Sequence, residues 1–286
     1  MEIKTIDLYE HFNIERPENA SGYLTAYLLG LSERVNLNRK FPTILIIPGG
    51  GYSGVSFRES EGVALKYLQK GYNAFVLKYA VSPARFPTAF QEASMAMAYI
   101  RENAEELHVN NDCVCAMGFS AGGHLLGCIS TMYNRREIDF LGDRKSFVKP
   151  DASLFIYPVI SGTDKSHAGS FVNLLGRDNV TAEKLEEFSI DKNVDENSPP
   201  AFILSTFGDK SVPCKNSLLL ASAYDKYDVP FCLHIFEKGI HGLSICEKTV
   251  YEDKLFEEII ATTSTDFPKW VDLSLSWLKD RGFEII

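Results

Sequence analysis

The chain has 286 residues, a length that suits one large α/β domain or two small ones. Its 45% apolar, 12% aromatic and 23% charged residues describe an ordinary globular protein with a sizeable core. A net charge of −9 argues against nucleic acid or an anionic membrane as partner, because binding phosphates needs a basic footprint.

The first twenty residues, MEIKTIDLYEHFNIERPENA, are charged from the second position and lack the apolar segment of a secretory leader. No apolar run along the chain approaches the length of a membrane span. The six cysteines show neither a disulfide framework nor metal-ligand spacing, so reduced thiols in the cytoplasm are expected. IKTIDLY (3–9) and GYLTAYLLG (22–30) alternate apolar and polar residues, and they read as an antiparallel hairpin on a sheet edge.

Beyond them, buried-strand patterns recur at 43–47, 73–80, 113–117, 153–159, 201–206 and 231–236. Helical patterns fall at 60–70, 88–106, 121–132, 214–227 and 267–281. In the second of these, Met95 and Met97 read as core filling. This alternation implies a mostly parallel sheet of about eight strands with helices on both faces. No linker divides the chain, so a single domain over 1–286 is expected. Residues 160–200 separate two strands by more than a βα connection needs, and with HAGSFVNLLG and TAEKLEEF they read as a small helical cap insertion.

Two glycine-containing turns carry the chemistry. ILIIPGGGYSG (44–54) spells G-x-G-x-x-G after a strand. In a dinucleotide site a helix would open at those glycines, and an acid would end the next strand to hold the ribose. Here helical sequence resumes only near Ser60, and the next strand runs into Lys78 and Tyr79. No nucleotide cofactor is therefore expected, and no metal or other cofactor either.

The second turn is CVCAMGFSAGGHLLG (113–127), in which a strand runs through G-F-S-A-G straight into a helix. That context marks Ser120 as a nucleophile on a strained turn, with small residues clearing the space around it. A serine needs a base and an orienting acid, and in this architecture the chain order is serine, acid, histidine. His11 and His108 precede Ser120, His124 shares its helix, and His234 lies within a strand. His241, in the turn KGIHG directly after a strand, is the candidate base. Asp209, in the loop FGDKSVP after the strand AFILST, is the candidate acid. Asp191, Asp195, Asp225 and Asp228 are less suitably placed. The glycine loop then has a use: backbone N–H groups of Gly50 and Gly51, opposite that of Ala121, can form an oxyanion hole.

On these residues the chain resembles the α/β-hydrolase superfamily, in its esterase branch related to hormone-sensitive lipase. It is most similar to the acetyl-esterase and acetylxylan-esterase-like carbohydrate esterases. The matching stretches are PGGGYSGVSFRESEGVALKYLQKGYNAFVLKYAVSPARFPTAFQEA, GFSAGGHL, HAGSFVNLLG, SPPAFILSTFGDKSVPCKNSLLLASAY and HIFEKGIHGLS. The usual His-Gly-Gly-Gly of such relatives is Pro-Gly-Gly-Gly here, which keeps the backbone donors and removes a supporting imidazole. The resemblance implies the α/β-hydrolase fold, the triad Ser120, Asp209 and His241, and hydrolysis of short acyl esters, often acetyl groups on sugars.

Tyr52, His167, Ser170 and Asn173 are further candidates for substrate contact. The expected partner is a small-molecule acyl ester, with no nucleic acid and no membrane, and a homodimer is the oligomer held open. An amidase of arylformamidase type would use the same triad, and a non-catalytic binding module on the same scaffold is the alternative from another class. A long-chain lipase would want a larger apolar lid than residues 160–200 supply.

Overall fold

The computed structural model describes residues 1–164 and 167–286, so positions 165 and 166 of the anticipated cap lie outside the described residues. Eight strands form one sheet: β1 (Glu2–Asp7), β2 (Tyr23–Leu28), β3 (Phe41–Ile47), β4 (Asn73–Lys78), β5 (Val109–Phe119), β6 (Ala152–Ile156), β7 (Ala201–Thr206) and β8 (Phe231–Phe236). Their order across the sheet is β1-β2-β4-β3-β5-β6-β7-β8. The expected edge hairpin is present: β1 pairs antiparallel with β2, and β2 antiparallel with β4. All remaining neighbours are parallel.

The helices are α1 (Leu8–Phe12), α2 (Glu61–Gln69), α3 (Thr88–Glu102), α4 (Ala121–Thr131), α5 (Ala168–Leu175), α6 (Ala182–Glu187), α7 (Lys215–Lys226), α8 (Asp253–Thr262) and α9 (Trp270–Lys279). The central strands are continuous apolar runs because helices cover both faces of the sheet. Along β3 the side chains alternate between two buried clusters. Leu45 and Ile47 join the cluster that includes Met95 and Met97 of α3, Leu125 of α4 and Leu220 of α7. Ile44 and Ile46 join the cluster that includes Tyr67 of α2 and Trp270, Trp277 and Leu278 of α9.

Three differences from the sequence reading have local causes. Strand β5 runs from Val109, beyond the apolar core CVCAM, because it pairs with Phe41 of β3 at Val109 and again from Val114, across a register shift that takes up the exposed Asn111 and Asp112. Strand β6 stops at Ile156, two residues before Pro158, which has no backbone N–H to give to a neighbour. Helix α8 was not anticipated, although Leu255, Phe256, Ile259 and Ile260 recur at helical spacing; of these only Ile259 is buried. Between β6 and β7 lie α5, α6 and short 3-10 turns. Among the described residues no helix is long and apolar enough to cross a membrane.

Candidate active site

The carboxyl ends of β3, β5, β7 and β8 lie along one edge of the sheet, and each carries a loop toward the same place. Ser120 sits between β5 and α4 with φ 53° and ψ −119°, a left-handed conformation that costs a non-glycine residue about 1–3 kcal/mol. Its backbone holds it there: its N–H donates to the Ile156 carbonyl at 3.0 Å, and its carbonyl accepts from Val159 at 2.9 Å. Close approach of main chain explains the flanking glycines. A Cβ on Gly118 would stand 2.4 Å from the Gly122 carbonyl oxygen, and one on Gly122 would stand 2.2 Å from that of Ile47.

The three polar groups anticipated in order along the chain meet in space. Ser120 Oγ lies 2.7 Å from His241 Nε2. His241 Nδ1 lies 2.6 Å from Asp209 Oδ2. An ionised carboxylate only accepts, so Nδ1 carries the imidazole proton and Nε2 faces the serine hydroxyl as acceptor. Asp209 is buried, and its other oxygen accepts the N–H groups of Ser211 and Val212, both at 2.9 Å. Those two bonds fix the carboxylate plane, which in turn fixes the ring.

The glycine loop packs against the serine, since a Cβ at Gly49 would fall 2.9 Å from Ser120 Cβ. Among the described residues the N–H groups of Gly50, Gly51 and Ala121 have no hydrogen-bond partner, which leaves three donors unspent at the loop and at the start of α4. Gly50 has φ 131°, and a Cβ there would collide with the Gly54 carbonyl, so only glycine fits that turn. The loop does not open a helix; α2 begins at Glu61, which removes the dinucleotide reading.

The four further candidates divide. Asn173 of α5 donates its side-chain N–H to the Gly51 carbonyl at 2.9 Å. His167 Nδ1 and Ser170 Oγ lie 2.9 Å apart, and a Cβ on Gly51 would come within 3.9 Å of both side chains. Burial, with the neighbouring His241 next in weight, pulls the His167 pKa below its ordinary value. Tyr52 is corrected: its ring is buried and its hydroxyl lies 2.9 Å from His124 Nδ1, so it is spent inside the core. His124 completes that chain by donating from Nε2 to the Phe188 carbonyl at 2.8 Å. Burial lowers the His124 pKa to about 4, which suits a neutral structural imidazole.

Sequence reasoning missed the groups that brace the loop. Tyr79 donates its hydroxyl to the Pro48 carbonyl at 2.7 Å. Glu59, on the 3-10 turn Phe57–Glu59, accepts the Gly49 N–H at 2.7 Å. Together they hold both ends of the Pro48–Gly49 peptide at the start of the loop. The stretch SFRESEG gave no sign of it, because a lone glutamate ahead of a helix reads as a first-turn acid.

The BD-FAE family model matches residues 31–224, a span that includes Ser120 and Asp209 and stops before His241. Endo-1,4-beta-xylanase B of Butyrivibrio fibrisolvens is 36% identical over 212 residues, which are 71% of this chain and 32% of that protein. The acetylxylan esterase of Xylanibacter ruminicola is 31% identical over 221 residues, 76% of this chain and 44% of that protein. The chain thus spans less than half the length of these curated relatives. Among solved structures, an acetyl ester-xyloside bifunctional hydrolase from Caldicellulosiruptor lactoaceticus superimposes with a TM-score of 0.81 at 31% identity, covering 98% of this chain and 97% of that one.

Proposed function

The chain belongs to the BD-FAE family and has the α/β-hydrolase fold, and on that footing we propose that it is a serine esterase cleaving short acyl esters. Acetyl groups on sugars or xylo-oligosaccharides are the substrates proposed first. The observation that carries the reading is the continuous chain from Ser120 Oγ through His241 to Asp209, at 2.7 and 2.6 Å. The sugar-ester class is supported by the names of two similar proteins, an acetylxylan esterase and an acetyl ester-xyloside bifunctional hydrolase.

In this reading His241 Nε2 takes the hydroxyl proton as Ser120 Oγ attacks the ester carbonyl carbon. Negative charge develops on the former carbonyl oxygen, and the free N–H groups of Gly50, Gly51 and Ala121 receive it. Collapse of the tetrahedral species breaks the bond to the alcohol, which leaves with the proton from His241. Water then repeats the sequence on the acyl-serine, releasing the acid and restoring the hydroxyl. Asp209 holds the imidazole tautomer and stabilises its cation throughout. His167 and Ser170, beside Gly51, are proposed to face the alcohol portion of the substrate.

The partner is then a small neutral ester; the net charge of −9 favours neither nucleic acid nor an anionic surface. A cytoplasmic setting is part of the proposal, supported by six cysteines that are all free thiols.

The test compares nitrophenyl acetate, butyrate and octanoate with acetylated xylo-oligosaccharides and N-formylkynurenine, with Ser120→Ala as control. Acetate and acetylated oligosaccharides should be preferred, and the variant should be inert. Octanoate as best substrate overturns the short-acyl reading, and a preference for the formamide replaces the ester with an amide.

A further inference from the structure

We propose that Glu59 is a positioning residue that holds the glycine loop and the His241 loop in register through Tyr157. The inference rests on the esterase reading above and adds a residue to it.

Glu59 is 3% exposed, and among the described residues no lysine, arginine or histidine forms an ion pair with it. A buried carboxylate without a cation is costly, so the hydrogen bonds it accepts have to offset that cost. Both oxygens are used. One accepts the Gly49 N–H at 2.7 Å, and the other accepts the Tyr157 hydroxyl proton at 2.7 Å. The Tyr157 oxygen in turn accepts the Ser244 N–H at 2.8 Å. The Tyr157 ring meets the His241 ring edge-on, with centroids 5.2 Å apart.

One carboxylate therefore touches the loop after β3 directly and, through a single phenol, reaches the loop that carries the base. Capturing the Gly49 N–H fixes the Pro48–Gly49 peptide, whose carbonyl Tyr79 also holds, so the chain enters the Gly50 and Gly51 amides in one set direction. Donation from Tyr157 to Glu59 fixes the hydroxyl rotor and leaves an oxygen lone pair for Ser244, three residues beyond His241. Neither Glu59 nor Tyr157 is required to touch substrate. Each sets where a reacting group stands, and a misplacement of an ångström costs about 100-fold in rate.

Because only placement is involved, the effect belongs in kcat and not in substrate binding. Glu59→Gln keeps the shape and one good acceptor, and Tyr157→Phe removes the relay atom alone. With nitrophenyl acetate, each variant should lose roughly 100-fold in kcat with KM within about twofold. The double variant should lose little more than either single one, since both break the same chain of contacts. Circular dichroism and thermal melting establish that each variant is folded, and if Glu59→Gln does not fold, Tyr157→Phe decides by the same criteria. Wild-type kcat in the folded variants, or losses that multiply in the double variant, overturns the relay while leaving the esterase reading intact. A wild-type chain whose Ser120 neither hydrolyses nitrophenyl acetate nor takes up an organophosphate overturns both.

Discussion

Asn173 of helix α5 donates its side-chain N–H to the carbonyl of Gly51, 122 positions away, at 2.9 Å. The Arg85 guanidinium holds the other side of the same residue by donating to the Asn173 carbonyl at 2.6 Å. A segment between β6 and β7 thus orients the Gly51–Tyr52 peptide, which adjoins the Gly51 N–H proposed to receive the oxyanion. Replacing the side chain frees the Gly51 carbonyl and lets that peptide turn. Asn173→Ala should lower kcat/KM for nitrophenyl acetate by about tenfold or more, and should cost about 1 kcal/mol of stability in urea unfolding. Unchanged kinetics would show that helix α5 does not steer the glycine loop.

Asp209→Asn separates the acid's charge from its geometry. The amide oxygen can still accept from Ser211 and Val212, but the NH₂ then faces His241 Nδ1. The imidazole must place its proton on Nε2, where it cannot accept from Ser120. A loss of about 10⁴-fold in kcat is expected at neutral pH, with the fold retained. A loss of less than tenfold would mean that another group orients His241.

Backbone strain at Ser120 predicts a trade between stability and activity. Ser120→Gly removes the Cβ from a residue at φ 53°, whereas Ser120→Ala keeps it there. Both variants should be inactive. The glycine variant should be the more stable by about 1 kcal/mol, because strain relief of about 1–3 kcal/mol exceeds glycine's extra unfolded-state entropy. A glycine variant no more stable than the alanine variant would show that the strain is too small to outweigh that entropy.

Two buried groups give opposite pH slopes. The His124 pKa falls from 6.5 to about 4 through burial, so unfolded chains bind more protons between those values. Its contribution is complete above about pH 6.5 and is lost as pH falls toward 4. Glu92 of α3, buried against Ser21, Ala80 and Tyr9, has its pKa raised from 4.5 to about 7, again chiefly by burial. There the folded state binds more protons, so stability is fullest below about pH 4.5 and declines as pH rises through 7. Glu92→Gln cannot ionise, so its stability relative to wild type should improve from pH 5 to about 7 and level off above that. Urea midpoints at pH 5, 6, 7 and 8 measure this, and a constant difference would place the Glu92 titration outside that range.

What could be read from the chain was whatever a local pattern encodes. Each central strand and most helices announced themselves by apolar periodicity. Ser120 was legible because strand, small-residue turn and helix are contiguous, and Asp209 and His241 because each directly follows a strand. Helix α8 was legible in principle, through Leu255, Phe256, Ile259 and Ile260, but its mostly exposed face gave a weak signal.

Tertiary structure alone decided which residues support that site. Glu59 and Tyr157 are 98 positions apart, and they meet only because the order β4-β3-β5-β6-β7-β8 sets the ends of β3 and β6 on either side of β5. The same packing spent Tyr52 on His124 and turned Asn173 toward Gly51. No periodicity carries that information. Side-chain partners across a sheet depend on which strand ends become neighbours, and that follows from burying both faces at once rather than from any local run of residues.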